Sequence, residues 1–198
     1  MDCSTLANFR YALYRCFDRA GDALMNVNDA LLSQTQARSL AELSLSPFFV
    51  RRWPSLYEAF QDAKIDRAAL RKLFAAQVTS PAQDKWLLLG MDASSIARPH
   101  STTAQDRTYV HAANLPEEAK PVTSGWQYST LVVLPETASS WTYVLDNQRI
   151  SSQQTPAQVA AHQLRALVPL LPMRPLVAAD GYYGSVTFLR EKRRNRLR

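Results

Sequence analysis

Lys85-Trp86-Leu87-Leu88-Leu89-Gly90-Met91-Asp92-Ala93-Ser94-Ser95 is the stretch whose reading decides the fold. From Trp86 to Met91 it has no charged or amide side chain, and Asp92 ends the apolar run. Such a run predicts a strand that stops at Asp92 and is buried on both faces, as in the middle of an α/β sheet. An acid at the C-terminal end of such a strand stands where open α/β sheets keep their sites. An Asp followed by Ser94 and Ser95 also serves as a turn cap, and the single run does not separate the two roles. A second run, Pro175-Leu176-Val177-Ala178-Ala179-Asp180-Gly181, repeats the pattern. Two apolar strands that each deliver an Asp favour a site.

Between these runs, Gly125 to Leu134 reads as a strand ended by Pro135, and Trp141 to Leu145 as its antiparallel neighbour. Ala97 to Lys120 is polar and free of glycine, and reads as a loop. Thr155-Pro156 opens a helix, with a capping hydroxyl and a proline in the first turn. Val159, Leu164, Leu167 and Val168 form its inward stripe, and Pro169 and Pro172 end it. Ser185 to about Arg193 reads as the start of a last helix. The order strand, strand, strand, helix, strand, helix opens the ribonuclease-H-like fold, in which the first and fourth strands lie side by side. Asp92 and Asp180 would then face each other. Two such carboxylates repel, and a bound Mg²⁺ relieves the conflict because hard cations take carboxylate oxygens.

Residues 1–80 read as helices. Leu6, Phe9, Leu13 and Phe17 recur at helical spacing up to a break at Gly21. Leu24, Val27 and Leu31 mark a second helix, and Leu40, Leu43 and Leu45 a short third. Ser55-Leu56-Tyr57-Glu58 has the capping-box pattern, with Leu56 and Phe60 inward. Asp66 caps a further helix with the stripe Leu70, Leu73 and Phe74. The short link between these last two helices is compatible with a helix-turn-helix, and Arg67, Arg71 and Lys72 stand away from the stripe. A wet bundle face and a face offered to DNA both fit them.

The expected fold class is therefore α/β (α+β): a helical region over 1–80, then an incomplete ribonuclease-H-like mixed sheet over 81–189. A hydrophobic fraction of 46% and a charged fraction of 20% are ordinary for a globular chain of 198 residues. No apolar run approaches the ~20 residues of a membrane helix. Five glycines leave no Gly-rich phosphate loop, and Cys3 and Cys16 make neither a disulfide framework nor a zinc site. The expectation is a cytoplasmic, nucleoid-associated protein with no membrane partner. The net charge of +6 divides as +2 over residues 1–85, −1 over 86–189 and +5 over Arg190 to Arg198, so most of the basic excess is a tail. Such a tail binds phosphates by counterion release or stays solvated. Ser94, Ser95 and His111 lack a nucleophile elbow, and His100, His111 and His162 share no ligand spacing. Trp126, Tyr128, Trp141 and Tyr143 alternate along two strands, which suits sheet packing better than base stacking.

Several pieces, in order, resemble bacterial insertion-sequence transposases of the DDE superfamily endonuclease type. They are Leu43 to Pro47 with Trp53 to Leu73, Met91-Asp92-Ala93-Ser94, Arg98-Pro99 and Asp106 to His111, followed by Gly125 to Ser129 and Ala179 to Ser185. The resemblance implies cleavage and strand transfer on double-stranded DNA at transposon ends, with Mg²⁺ or Mn²⁺ held by two aspartates and a glutamate. It places Asp92 and Asp180 as catalytic metal ligands. It also implies helical DNA contacts, for which Arg67, Arg71, Lys72, Arg98 and Arg107 are the candidates. The family's third acid lies on a later helix. Glu191 sits beside Lys192 and Arg193, where an ion pair at a helix end is the simpler role, so the glutamate is not carried onto it. The expectation is an apparently truncated transposase, catalytically incomplete, with the Asp180 strand left at a sheet edge. The alternative is a DNA-binding, inhibitory product that pairs with itself or with full-length transposase.

Overall fold

The computed structural model describes residues 2–34, 36–111, 121–137, 139, 141–184 and 188. The helix expected over 185–193 (Phe188 apart), Glu191 and the basic tail lie outside these residues. The chain divides into two compact units, Met1–Leu73 and Phe74–Arg198, so the division falls ahead of Ser80-Pro81.

The first unit is helical with one small ribbon. It contains α1 (Cys3–Tyr14), β1 (Phe17–Arg19), α2 (Gly21–Ser33), α3 (Leu40–Leu43), α4 (Trp53–Asp62), β2 (Lys64–Ile65) and most of α5 (Arg67–Ala75). Val27, Ala30, Leu43, Phe49 and Leu56 form its main core, and Ala23, Leu24 and Ala59 a second cluster. Arg10 on α1 grips Asp29 on α2 with both guanidinium nitrogens, at 2.5 and 2.9 Å. Several expectations change here. The first helix ends at Tyr14, and Phe17 belongs to a strand paired with β2, because a partner far along the chain takes up its backbone groups. Gly21 opens α2 instead of breaking a helix, after Ala20 in the left-handed region at φ 59°. Leu45 is 82% exposed and lies beyond α3. α4 starts at Trp53 with Pro54 in its first turn, so Ser55 is inside the helix and its hydroxyl donates to the Arg52 carbonyl. The inward residues of α4 are Leu56 and Ala59, whereas Phe60 is half exposed. The α4–α5 link is not a plain turn, since β2 occupies it and the Asp66 N–H donates to the Cys16 carbonyl. Asp66 caps α5 as expected, accepting from the Ala68 and Ala69 N–H groups.

The second unit is a mixed five-stranded sheet with a helix on one face. Its strands are β3 (Leu88–Ala97), β4 (Thr108–His111), β5 (Val122–Val133), β6 (Tyr143–Ile150) and β7 (Leu176–Ala179); α6 (Pro156–Leu167) precedes β7. β5 is central. β3 runs antiparallel along one side of it, and β4 and β6 pair with successive parts of its other side. β7 lies parallel to β3 at the sheet edge. The first and last of these strands are therefore neighbours, as the ribonuclease-H-like order requires. α6 is capped by Thr155 in a full capping box with Gln158. Its residues Ala157, Ala160, Ala161, Leu164 and Leu167 pack with Leu89, Met91, Leu131 and Leu145 in the core.

Two corrections concern the deciding strand. β3 does not stop at Asp92, because its ladder with β5 runs from Leu89↔Val133 to Ala97↔Gly125. Nor is it buried on both faces. Leu89 and Met91 are buried, Leu88 and Gly90 are half-buried, and Asp92 is exposed. Asp92 marks where burial ends while backbone pairing continues. The stretch after Ala97 is also not all loop, since Thr108–His111 pairs with Val122–Gly125 of β5. At that crossing Gly125 is obligatory, as a Cβ there would collide with the Ile96 carbonyl oxygen.

Candidate active site

The parallel register of β3 and β7 pairs Leu89 with Val177, Gly90 with Ala178 and Met91 with Ala179. Asp92 is the next residue of β3, and Asp180 is the residue that follows the end of β7, on neighbouring strands about 4.8 Å apart. Leu89, Met91 and Val177 pack in the core, and alternation along β3 puts Asp92 on the opposite face. Both acids are exposed. Asp92 Oδ1 accepts the Ala93 N–H at 2.7 Å. The Tyr183 N–H donates to the Asp180 carbonyl at 3.2 Å, opening the 3₁₀ turn Gly181–Gly184.

On its other side Asp92 pairs with Thr130 of β5, and Thr130 pairs with Asn147 of β6. The Asn147 Nδ2 donates to the Thr130 hydroxyl oxygen at 2.9 Å. Asp92, Thr130 and Asn147 thus form one polar row across three strands, with Asp180 just past the end of β7. Neither Thr130 nor Asn147 stands out in the sequence, because only the strand register aligns them with Asp92. Their one advance signal is an Asn inside a strand, where it is disfavoured.

Among the described residues, the donor set of this row is all oxygen and amide. It suits a hard divalent cation such as Mg²⁺ or Mn²⁺. Among the described residues, no group of three or more His, Cys, Asp and Glu side chains stands close enough to hold a metal.

The loop after β3 is fastened to the sheet by named contacts. Arg107 donates to the carbonyls of Arg98, Pro99 and Thr102, at 2.9, 3.3 and 3.4 Å. Asp106, at φ 54°, accepts from the Ser152 N–H at 2.9 Å and from Arg149 at 2.8 Å. The Ser152 bond and then the Arg149 charge hold the Asp106 carboxyl below its ordinary range. Arg149 also lies 5.9 Å over the Trp126 ring, whose Nε1–H donates to the Gln105 carbonyl at 3.1 Å. Trp126 is therefore a pin for the loop. Arg98 is exposed, and its guanidinium reaches back to the Ala97 carbonyl. Tyr143 faces the core, donating to the Phe74 carbonyl, and Tyr183 is buried against Phe188. In the first unit, Arg67 and Lys72 are exposed on α5, and Arg71 is half-buried.

No curated protein matches the chain. A family model described as DDE superfamily endonuclease matches residues 12–197, which takes in most of both units and the two aspartates. With that match over nearly its whole length, and with an α+β fold of ribonuclease-H-like strand order, the chain belongs to the DDE superfamily endonucleases.

Proposed function

We propose that this chain acts on double-stranded DNA as a transposase-type nuclease, with cleavage and strand transfer at transposon ends as its chemistry. Asp92 and Asp180 are the metal-binding, catalytic carboxylates of this reading. The observation that supports it is the Met91↔Ala179 register, since Asp92 and Asp180 are the residues that follow this pair on their two chains. When bound there, Mg²⁺ or Mn²⁺ supplies charge neutralisation at the phosphodiester and a more acidic attacking water or 3′-hydroxyl. The protein's own part is to fix the two carboxylates. β3 and β7 share a ladder up to the residue before each acid, and the Ala93 N–H holds one oxygen of Asp92.

DNA phosphates are held, in this reading, by exposed cations: Arg67 and Lys72 on α5 with their neighbour Arg71, and Arg98 beside the sheet. Arg107 has a different part. Its three carbonyl contacts fit it to shape the 98–107 loop rather than to meet a phosphate.

The test is nicking of supercoiled plasmid by the whole chain in Mg²⁺ or Mn²⁺. Asp92→Asn and Asp180→Asn should each lower the rate by about a hundredfold or more, since the metal's share of the barrier is several kcal/mol. Because this reading supplies two acids, not three, cutting by the wild-type chain is expected to be weak. Nicking that persists in Asp92→Asn, or that ignores the metal, overturns the assignment. Salt-dependent DNA binding that survives both substitutions, with no nicking by any of the proteins, favours the binding-module alternative.

A further inference from the structure

The row beyond Asp92 has chemistry of its own. Thr130 lies directly across from Asp92, and Asn147 directly across from Thr130, on the open face of the sheet. Their hydrogen bond runs one way, from the Asn147 amide to the Thr130 oxygen at 2.9 Å. That direction leaves the Thr130 O–H proton and one Asn147 N–H to donate elsewhere. Asn147 is exposed and Thr130 half-buried, so both remain reachable from the face that carries the acids.

Strand spacing puts Thr130 about 5 Å and Asn147 about 10 Å from the level of Asp92. That is the range in which the backbone of a strand held at Asp92 continues to its next phosphate. The residue types fit this place. A Lys or Arg here would pair with Asp92 and compete with a metal for it, whereas a hydroxyl and an amide donate to phosphate oxygens without doing so. On one side the neighbouring positions of this face, Gly90, Val132, Val144 and Ala178, offer no donor side chain; on the other stand Ser94, Tyr128 and Arg149, and Arg149 is engaged with Asp106.

We infer that Thr130 and Asn147 form a neutral phosphate subsite. It holds a non-bridging oxygen of the DNA backbone beside the phosphodiester placed at the acid pair. The inference rests on the acid pair being the reaction centre, and its test separates the two.

Binding of a fluorescent DNA duplex by the whole chain is measured over a range of salt, for wild type, Asn147→Ala, Thr130→Val and Thr130→Ser. Binding of Mn²⁺ is followed in parallel by electron spin resonance. Asn147→Ala and Thr130→Val should each weaken DNA binding about tenfold, as expected for hydrogen bonds to a charged group. Thr130→Ser should restore it. The salt slope should not change, because neutral donors release no counterions, whereas loss of an arginine contact flattens it by about one. Mn²⁺ binding should equal that of wild type. DNA binding unchanged in both variants overturns the inference. So does a parallel loss of Mn²⁺ binding, which would make the pair a support for the Asp92 carboxylate instead. Failure of the acid-pair reading shows separately, as Mn²⁺ binding that Asp92→Asn leaves intact.

Discussion

Ser129 and Thr130 are consecutive on β5, carry nearly the same hydroxyl, and have opposite fates. Ser129 faces α6 and is wholly buried. Its hydroxyl donates to Gln163 Oε1 at 2.6 Å, and Gln163 Nε2 returns a bond to the Ser129 carbonyl at 3.1 Å. The same amide reaches Asp146 at 3.2 Å, and Gln148 donates to that carboxylate at 2.8 Å. These polar groups of the core face are answered from within, as burial demands. Thr130 lies across from Asp92, and its hydroxyl oxygen accepts from Asn147, which leaves its proton to donate. The polarity of one face meets α6, and that of the other is, in the reading proposed above, offered to DNA.

Substitutions on the two faces should therefore separate stability from DNA handling. The largest stability loss belongs to the core face, where Leu131 is 1% exposed. Leu131→Ala should cost roughly 2–5 kcal/mol in denaturant unfolding, as buried leucine truncations do. On the site face, Asp92→Asn should leave the unfolding midpoint at or above the wild-type value while abolishing metal-dependent nicking. A midpoint that falls with Asp92→Asn would mean that this acid holds the fold together, and the contrast between faces would be lost. Gln163→Ala comes next. It leaves the Ser129 hydroxyl and the Asp146 carboxylate without their buried partner, at about 1–3 kcal/mol. Unchanged stability in Gln163→Ala would place the docking of α6 on apolar packing alone.

The parts of this arrangement legible in the sequence are those set locally. Thr155-Pro156 and the stripe from Val159 to Leu167 mark α6 because capping and a helical period are properties of neighbouring residues. The apolar runs before Asp92 and Asp180 mark β3 and β7, and the order of elements is enough to place them side by side. The features not legible depend on partners distant in sequence. β1 and β2 are too short for any period to show, and they exist through pairing between Phe17–Arg19 and Lys64–Ile65. The far half of β3 is polar, so hydropathy ends it at Asp92, whereas the β5 ladder carries it to Ala97. Thr130 and Asn147 come level with Asp92 only once the register is known.

The smallest of these effects reports on a hydroxyl of the core face. Tyr143 pairs with Val133, and its O–H donates to the Phe74 carbonyl at 3.0 Å. Burial pushes its pKa from 10.0 up to about 12. A folded state that holds this proton more tightly than the unfolded chain keeps the full contribution below pH 10. It loses that contribution as pH rises from 10 through about 12. Tyr143→Phe removes both the hydrogen bond and the titration. At pH 8 it should be about 1 kcal/mol less stable than wild type, the ordinary worth of one such bond. The gap should then close on the alkaline side. The chain's other seven tyrosines, of eight in all, titrate in both proteins and cancel in the difference. A gap that stays constant to pH 12 would mean that Tyr143 ionises as readily folded as unfolded, and would place its hydroxyl in water rather than against Phe74.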